Sequence, residues 1–174
     1  ALPIYVILQN LHIKGNLTIG EGVGEGDVTL NNITVDGETF VRGGGKNSIH
    51  INGGDYNKIT IQQTSSGQVR IVATNAAGLE VVVSEDAKGE DIILEGTFEN
   101  VQIDAPDVKI STQGETTIKE MVVAEGAKGS EITLDKKTVV NQIDVGAAVK
   151  MKGEGTIEKA NVNSDDVTFE QKPV

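Results

Sequence analysis

Val83-Ser-Glu-Asp-Ala-Lys-Gly-Glu-Asp-Ile-Ile-Leu94 returns forty residues later, little changed, as Val123-Ala-Glu-Gly-Ala-Lys-Gly-Ser-Glu-Ile-Thr-Leu134. Each copy leaves one apolar stretch, turns through Ala-Lys-Gly and enters another. Self-similarity at a fixed spacing is the mark of a repeat architecture, and half of this interval is the spacing of a shorter motif. That motif is an apolar residue, two polar residues, then apolar-x-apolar.

The motif reads Leu8-Gln-Asn-Leu-His-Ile13, Leu30-Asn-Asn-Ile-Thr-Val35, Tyr56-Asn-Lys-Ile-Thr-Ile61, Phe98-Glu-Asn-Val-Gln-Ile103 and Ile118-Lys-Glu-Met-Val-Val123. It continues as Val140-Asn-Gln-Ile-Asp-Val145 and Ile157-Glu-Lys-Ala-Asn-Val162, with a degenerate copy at Gly78-Leu-Glu-Val-Val-Val83. Intervals run from 17 to 26 residues. A second alternating segment follows each copy: Leu17–Ile19, Thr39–Val41, Val69–Ile71, Ile92–Leu94, Val108–Ile110, Ile132–Leu134, Val149–Met151 and Val167–Phe169.

Alternation places every second side chain on one face of a strand. Short strands joined by polar or glycine-containing corners turn all the apolar faces inward. Coils stacked at about 4.8 Å then pair each strand with those above and below. The pattern predicts one all-β domain over residues 1–174, a right-handed parallel β-helix of about eight coils and roughly 40 Å in length. In it Ile103, Ile110, Val123, Leu134, Val145 and Met151 face the interior. Composition agrees: 21 Gly, three Phe, two Tyr and no Trp leave a core of Val, Ile, Leu and Ala, and β-branched residues favour strands.

Charge and composition exclude several functions. A net charge of -11 makes nucleic acid and anionic membranes poor partners, since phosphate neutralisation needs clustered Lys and Arg. Without cysteine there are no disulfides or thiolate metal sites. The longest apolar run, Ile4 to Leu8, is far too short to span a bilayer, and the start lacks the basic region of a signal peptide. Two arginines in all and a lone adjacent pair, Asp165-Asp166, give no lyase or hydrolase constellation, so the chain is read as no enzyme, with no cofactor and no metal. The acidic turns at 84–91 and 124–131, with Glu85, Asp86, Glu90 and Asp91 in the first, match no calcium-loop spacing and read as solvated corners. His12 and His50 read as surface residues.

Two places offer weak candidates for binding. The stretch Arg42-Gly-Gly-Gly-Lys-Asn-Ser48, followed by Ile49-His-Ile51 and Asn52-Gly-Gly-Asp55, reads as an insertion in the second coil. Arg42, Lys46, Asn47, His50, Asn52 and Asp55 would be its polar equipment. Its glycines open no helix, so it is not read as a phosphate loop. Arg70, Lys109 and Lys150 fall on outward positions of successive second strands and would form a basic stripe able to attract an acidic glycan; the alternative is an ordinary solvent-facing sheet.

The stretch from Gly26-Asp-Val-Thr-Leu through Asp36-Gly-Glu-Thr-Phe40 to Ile49-His-Ile51 resembles β-helix modules of Gram-positive bacterial cell-surface proteins, of the kind found beside S-layer homology domains. The resemblance implies an extracellular, non-catalytic structural or adhesion module, a piece of a longer surface protein, with polysaccharide or cell-wall polymer as its partner. Bactofilins, self-assembling cytoskeletal β-helices, are the alternative, and a polysaccharide lyase or hydrolase stands third. The repeat itself predicts a monomeric rod with open ends. Its C-terminal end is blunted by Glu170-Gln-Lys-Pro-Val174, and its N-terminal end, Pro3-Ile-Tyr-Val-Ile-Leu8, is apolar and unguarded.

Overall fold

A computed structural model describes residues 4–174; Pro3, named above with the N-terminal strand, lies outside them. The chain is an all-β solenoid of about eight stacked coils. Every paired strand runs parallel to its counterparts in the neighbouring coils. Two faces carry the ladders. The first face contains Tyr5–Ile13, Asp27–Val35, His50–Asn52, Gln68–Thr74, the start of Asp91–Ile103, Lys109–Thr112, Glu131–Leu134, Lys150–Gly153 and Thr168–Phe169. The second contains Leu17–Ile19, Thr39–Val41, Ile59–Ile61, Glu80–Val83, the end of Asp91–Ile103, and then Thr116–Val123, Thr138–Val145 and Thr156–Val162.

Vertical ladders of like side chains fill the interior. On the second face Ile19, Val41, Ile61, Val83, Ile103, Val123, Val145 and Val162 stack in one column. On the first face Val69, Ile92, Ile110, Ile132, Met151 and Phe169 do the same. The six residues expected inside are all buried, although they belong to three columns, because Leu134 stacks with Gly153 rather than in the column of Ile110 and Met151.

The coil phase differs from the sequence expectation in two respects. Leu30–Val35 and Leu8–Ile13 lie on the first face, while the later copies of the same motif lie on the second. In the early copies the two polar residues are accommodated by Asn10 and Asn32 in the left-handed region, both at φ 52. Their amides stack, Asn32 Nδ2 donating to Asn10 Oδ1 at 3.1 Å, and asparagine tolerates that conformation better than other side chains. Val108, Val149 and Val167 sit two residues earlier in the rung than Val69, whose partners are Ile92 and, through it, Ile110.

The acidic corner at 84–91 is not solvated throughout. Glu90 is buried, its carboxylate accepting from the Thr64 N–H and hydroxyl, both at 2.8 Å. Ser130 takes the equivalent place after Gly129 and is also buried, its hydroxyl accepting from the Val108 N–H at 3.2 Å. A buried polar group is tolerable where it is hydrogen-bonded, and both are.

Tyr56 is the counter-case. Its ring stacks on Val35 inside the coil, its hydroxyl has no hydrogen-bond partner, and burial pushes its pKa up to about 12. The folded state therefore holds the proton that the unfolded chain, near pH 10, gives up. Stability owed to this group is complete below pH 10 and is lost as the pH climbs from 10 to 12. Tyr56→Phe should unfold at the same or higher denaturant concentration at neutral pH, with a shallower loss of stability over that alkaline range. Parallel chemical melts of the two proteins check it; an equal alkaline slope would refute it.

Candidate functional site

The insertion read at 42–55 is a regular coil. Ile49 and Ile51 are interior rungs: Ile51 lies between Leu30 and Ala73. Gly43, Gly44 and Gly45 are buried, and a Cβ at Gly43 would collide with the Gly20 carbonyl of the coil below. Arg42 donates from Nε to Gln62 Oε1 at 2.6 Å at one corner. Lys46 and Asn47 are exposed in the turn, and His50 points outward on the first face. Asn52 donates to Asn31 Oδ1 at 2.8 Å, and Asp55 opens the following two-residue strand, paired with Thr34. These six residues are strung around the coil and do not converge on a pocket.

The basic stripe is also corrected. Arg70 stacks on Ile93 and, through it, on Ser111, and its guanidinium is paired with Glu95. Lys109 belongs to a different column, two residues away, that reads Gln68, Asp91, Lys109, Glu131, Lys150, Thr168. Each lysine there is flanked by an acidic residue, and Glu131 is further paired with Lys152 at 3.3 Å. Charges alternate along this column, so no basic track forms. His12 is exposed, as expected of a surface residue, and makes a contact of 2.8 Å from Nε2 to Asp36 Oδ1.

The structure assembles a site that the linear sequence does not announce. Three successive motif copies on the second face have two consecutive polar residues between buried apolar ones: Glu99 and Asn100 between Phe98 and Val101, Lys119 and Glu120 between Ile118 and Met121, Asn141 and Gln142 between Val140 and Ile143. Two outward residues in succession break strict alternation. Stacked over several coils, these pairs and Glu80 of the coil before line a lateral cleft of about 430 Å³ that runs along the rod.

The two columns of the cleft differ in chemistry. In one, Lys119 Nζ donates to Glu99 Oε1 at 2.9 Å, and this bond and the glutamate's charge hold the ammonium above its ordinary pKa. Asn141 donates to Glu158 Oε2 at 3.0 Å in the same column. The other column stacks Glu80, Asn100, Glu120 and Gln142 on consecutive rungs. Neither Glu80 nor Glu120 enters an ion pair among the described residues, and Asn100 Oδ1 is buried with no partner. This column offers acceptors and asks for donors.

Among the described residues no cluster of three or more His, Asp or Glu side chains is placed to hold a metal ion, and no helix is long and apolar enough to cross a membrane. Comparison with protein-family models, curated proteins and solved structures finds no match.

Proposed function

We propose that this chain is a non-catalytic structural and adhesion module of a bacterial cell-surface protein, and that it holds a neutral or amine-bearing polysaccharide, such as a cell-wall polymer, along its lateral cleft. The observation that carries the reading is the pair of carboxylates Glu80 and Glu120, both lining the cleft and outside any ion pair among the described residues, beside a self-satisfied Lys119–Glu99 pair. A ligand for it must bring hydrogen-bond donors, which hydroxyls and ammonium groups do. With three carboxylates to one ammonium, the cleft disfavours the acidic glycan that a basic stripe would have attracted. The surface location rests on the resemblance of residues 26–51.

Pull-down on insoluble chitin, on its de-acetylated form and on polygalacturonate tests the reading. The first two should retain the protein. Glu80→Gln with Glu120→Gln should weaken retention at least about tenfold, the worth of one lost charge-assisted hydrogen bond. Arg70→Ala with Lys109→Ala and Lys150→Ala should change it little. Equal retention of the cleft variant, preference for polygalacturonate, or release of reducing sugar would each overturn it.

A further inference from the structure

The first face carries a pattern of charge that the stacking of coils does not use up. The outward column at the start of its strands reads Asp91, Lys109, Glu131 and Lys150 on successive rungs. Signs alternate without a break. Neighbours of opposite sign could close on one another within the chain. Yet Asp91, Lys109 and Lys150 enter no ion pair among the described residues, and all three are exposed. Glu131 is held by Lys152 at 3.3 Å, with 32% of its side chain still exposed.

Beside this column, on the same rungs, stand Ile93, Ser111, Thr133 and Lys152. The two middle members are short and uncharged, so a second flat sheet can approach them closely. Each chain carries a net charge of -11, but at physiological ionic strength charge is screened beyond about 8 Å. At contact the local pattern therefore decides, and here both signs are free to be matched.

We infer that this face is a self-association surface, and that two copies of the chain pack on it side by side and antiparallel, about a two-fold axis crossing the rod between the Lys109 and Glu131 rungs. The axis lays the column on its own copy with direction reversed. Asp91 then meets Lys150 of the second copy, Lys109 meets Glu131, and the symmetry repeats both contacts. Ser111 lies against Thr133, and the stem of Lys152 covers Ile93. A slip of one rung would set Lys109 against Lys109 and Asp91 against Glu131, and parallel packing would level each rung with its like. Alternation thus selects one register by repulsion as well as attraction. The contact is lateral, so it does not depend on what adjoins either end of the rod, and the cleft on the second face stays open. Four rungs offer less area than a stable interface needs, so the pair is weak and reversible.

Sedimentation of the full chain from about ten micromolar to about one millimolar should show a monomer–dimer equilibrium. Small-angle scattering should give a dimer thicker than one rod and little longer. Lys109→Glu with Lys150→Glu makes the column wholly acidic, and Asp91→Lys with Glu131→Lys makes it wholly basic. Each variant alone should lose at least about thirtyfold in dimer affinity, the sum of several pairs of modest worth. An equimolar mixture of the two should recover a heterodimer. Thr133→Arg, exposed and in the uncharged seam, should leave the melting curve unchanged and separate the wild-type pair by bulk alone. A wild type that stays monomeric, an end-to-end particle, a Thr133→Arg variant that pairs as the wild type does, or two folded charge variants that do not pair when mixed would each overturn the inference.

Discussion

Replacing Phe98 with alanine is expected to destabilise the rod by about 3–5 kcal/mol, the largest loss of any single core truncation. Phe98 is completely buried and is the bulkiest of the fully buried side chains. It stacks on Ile118 in the next coil, and the residue after it, Glu99, donates its N–H to the Leu79 carbonyl of the coil before, at 2.9 Å. A cavity there is bounded by rungs that are themselves held in register by their ladders, so little collapse is available to refill it.

Position along the rod sharpens the expectation. A solenoid's stability is a sum of coil terms and nearest-neighbour terms, and Phe98 is in the middle, where both of its interfaces count. Phe169 ends its own ladder, pairs with Met151 alone and is already part-exposed. Phe169→Ala should therefore cost less than half as much. Guanidinium titrations followed by far-ultraviolet circular dichroism compare the two. Similar losses at both sites would mean that coil-to-coil coupling does not govern stability here.

Gly96→Ala should be nearly as costly, about 3–4 kcal/mol, although alanine adds one methyl group. The strand Asp91–Ile103 passes from the first face to the second without interruption, and Gly96 is where it bends, at φ 113. That conformation lies outside what an L side chain adopts readily. Space is a second obstacle, since a Cβ would lie 2.0 Å from the Ala73 carbonyl oxygen in the coil below, far inside van der Waals contact. The obstruction is backbone and cannot rotate aside, so relief requires parting the rungs at Ala73 and Gly96, which are paired. Gly89→Ala is the control: φ is also positive, at 76, but nothing lies within 4 Å of the added atom. Thermal melts of both variants separate strain from collision; a Gly89→Ala loss equal to that of Gly96→Ala would assign the whole effect to φ.

The overall architecture was legible in the sequence for a definite reason. A repeat that recurs eight times can bury its alternating apolar residues in one way, by stacking, and the inward placement of Ile103, Ile110, Val123, Leu134, Val145 and Met151 follows from period two alone. The register was not legible, for a reason equally definite. A slip of one residue turns every apolar side chain outward, but a slip of two keeps them all inside, and alternation cannot tell the two registers apart. Val108 and Val69 differ by such a slip, and it moves Lys109 out of Arg70's column and into one alternating with Asp91 and Glu131.

The cleft was hidden by the same kind of degeneracy. Glu99-Asn100, Lys119-Glu120 and Asn141-Gln142 read along the chain as polar spacers, and the equivalent pairs Gln9-Asn10 and Asn31-Asn32 are indeed turned into a left-handed asparagine step on the other face. Asn10 and Asn32 share their motif position with Asn100, and nothing local separates them. What the sequence alone determined is which side chains are inside, how many coils there are and that the core is aliphatic, because burial depends on period and composition. Tertiary structure alone decided which outward residues become neighbours, and so where charges cancel and where a cleft opens, because those depend on the stacking of coils some twenty residues apart.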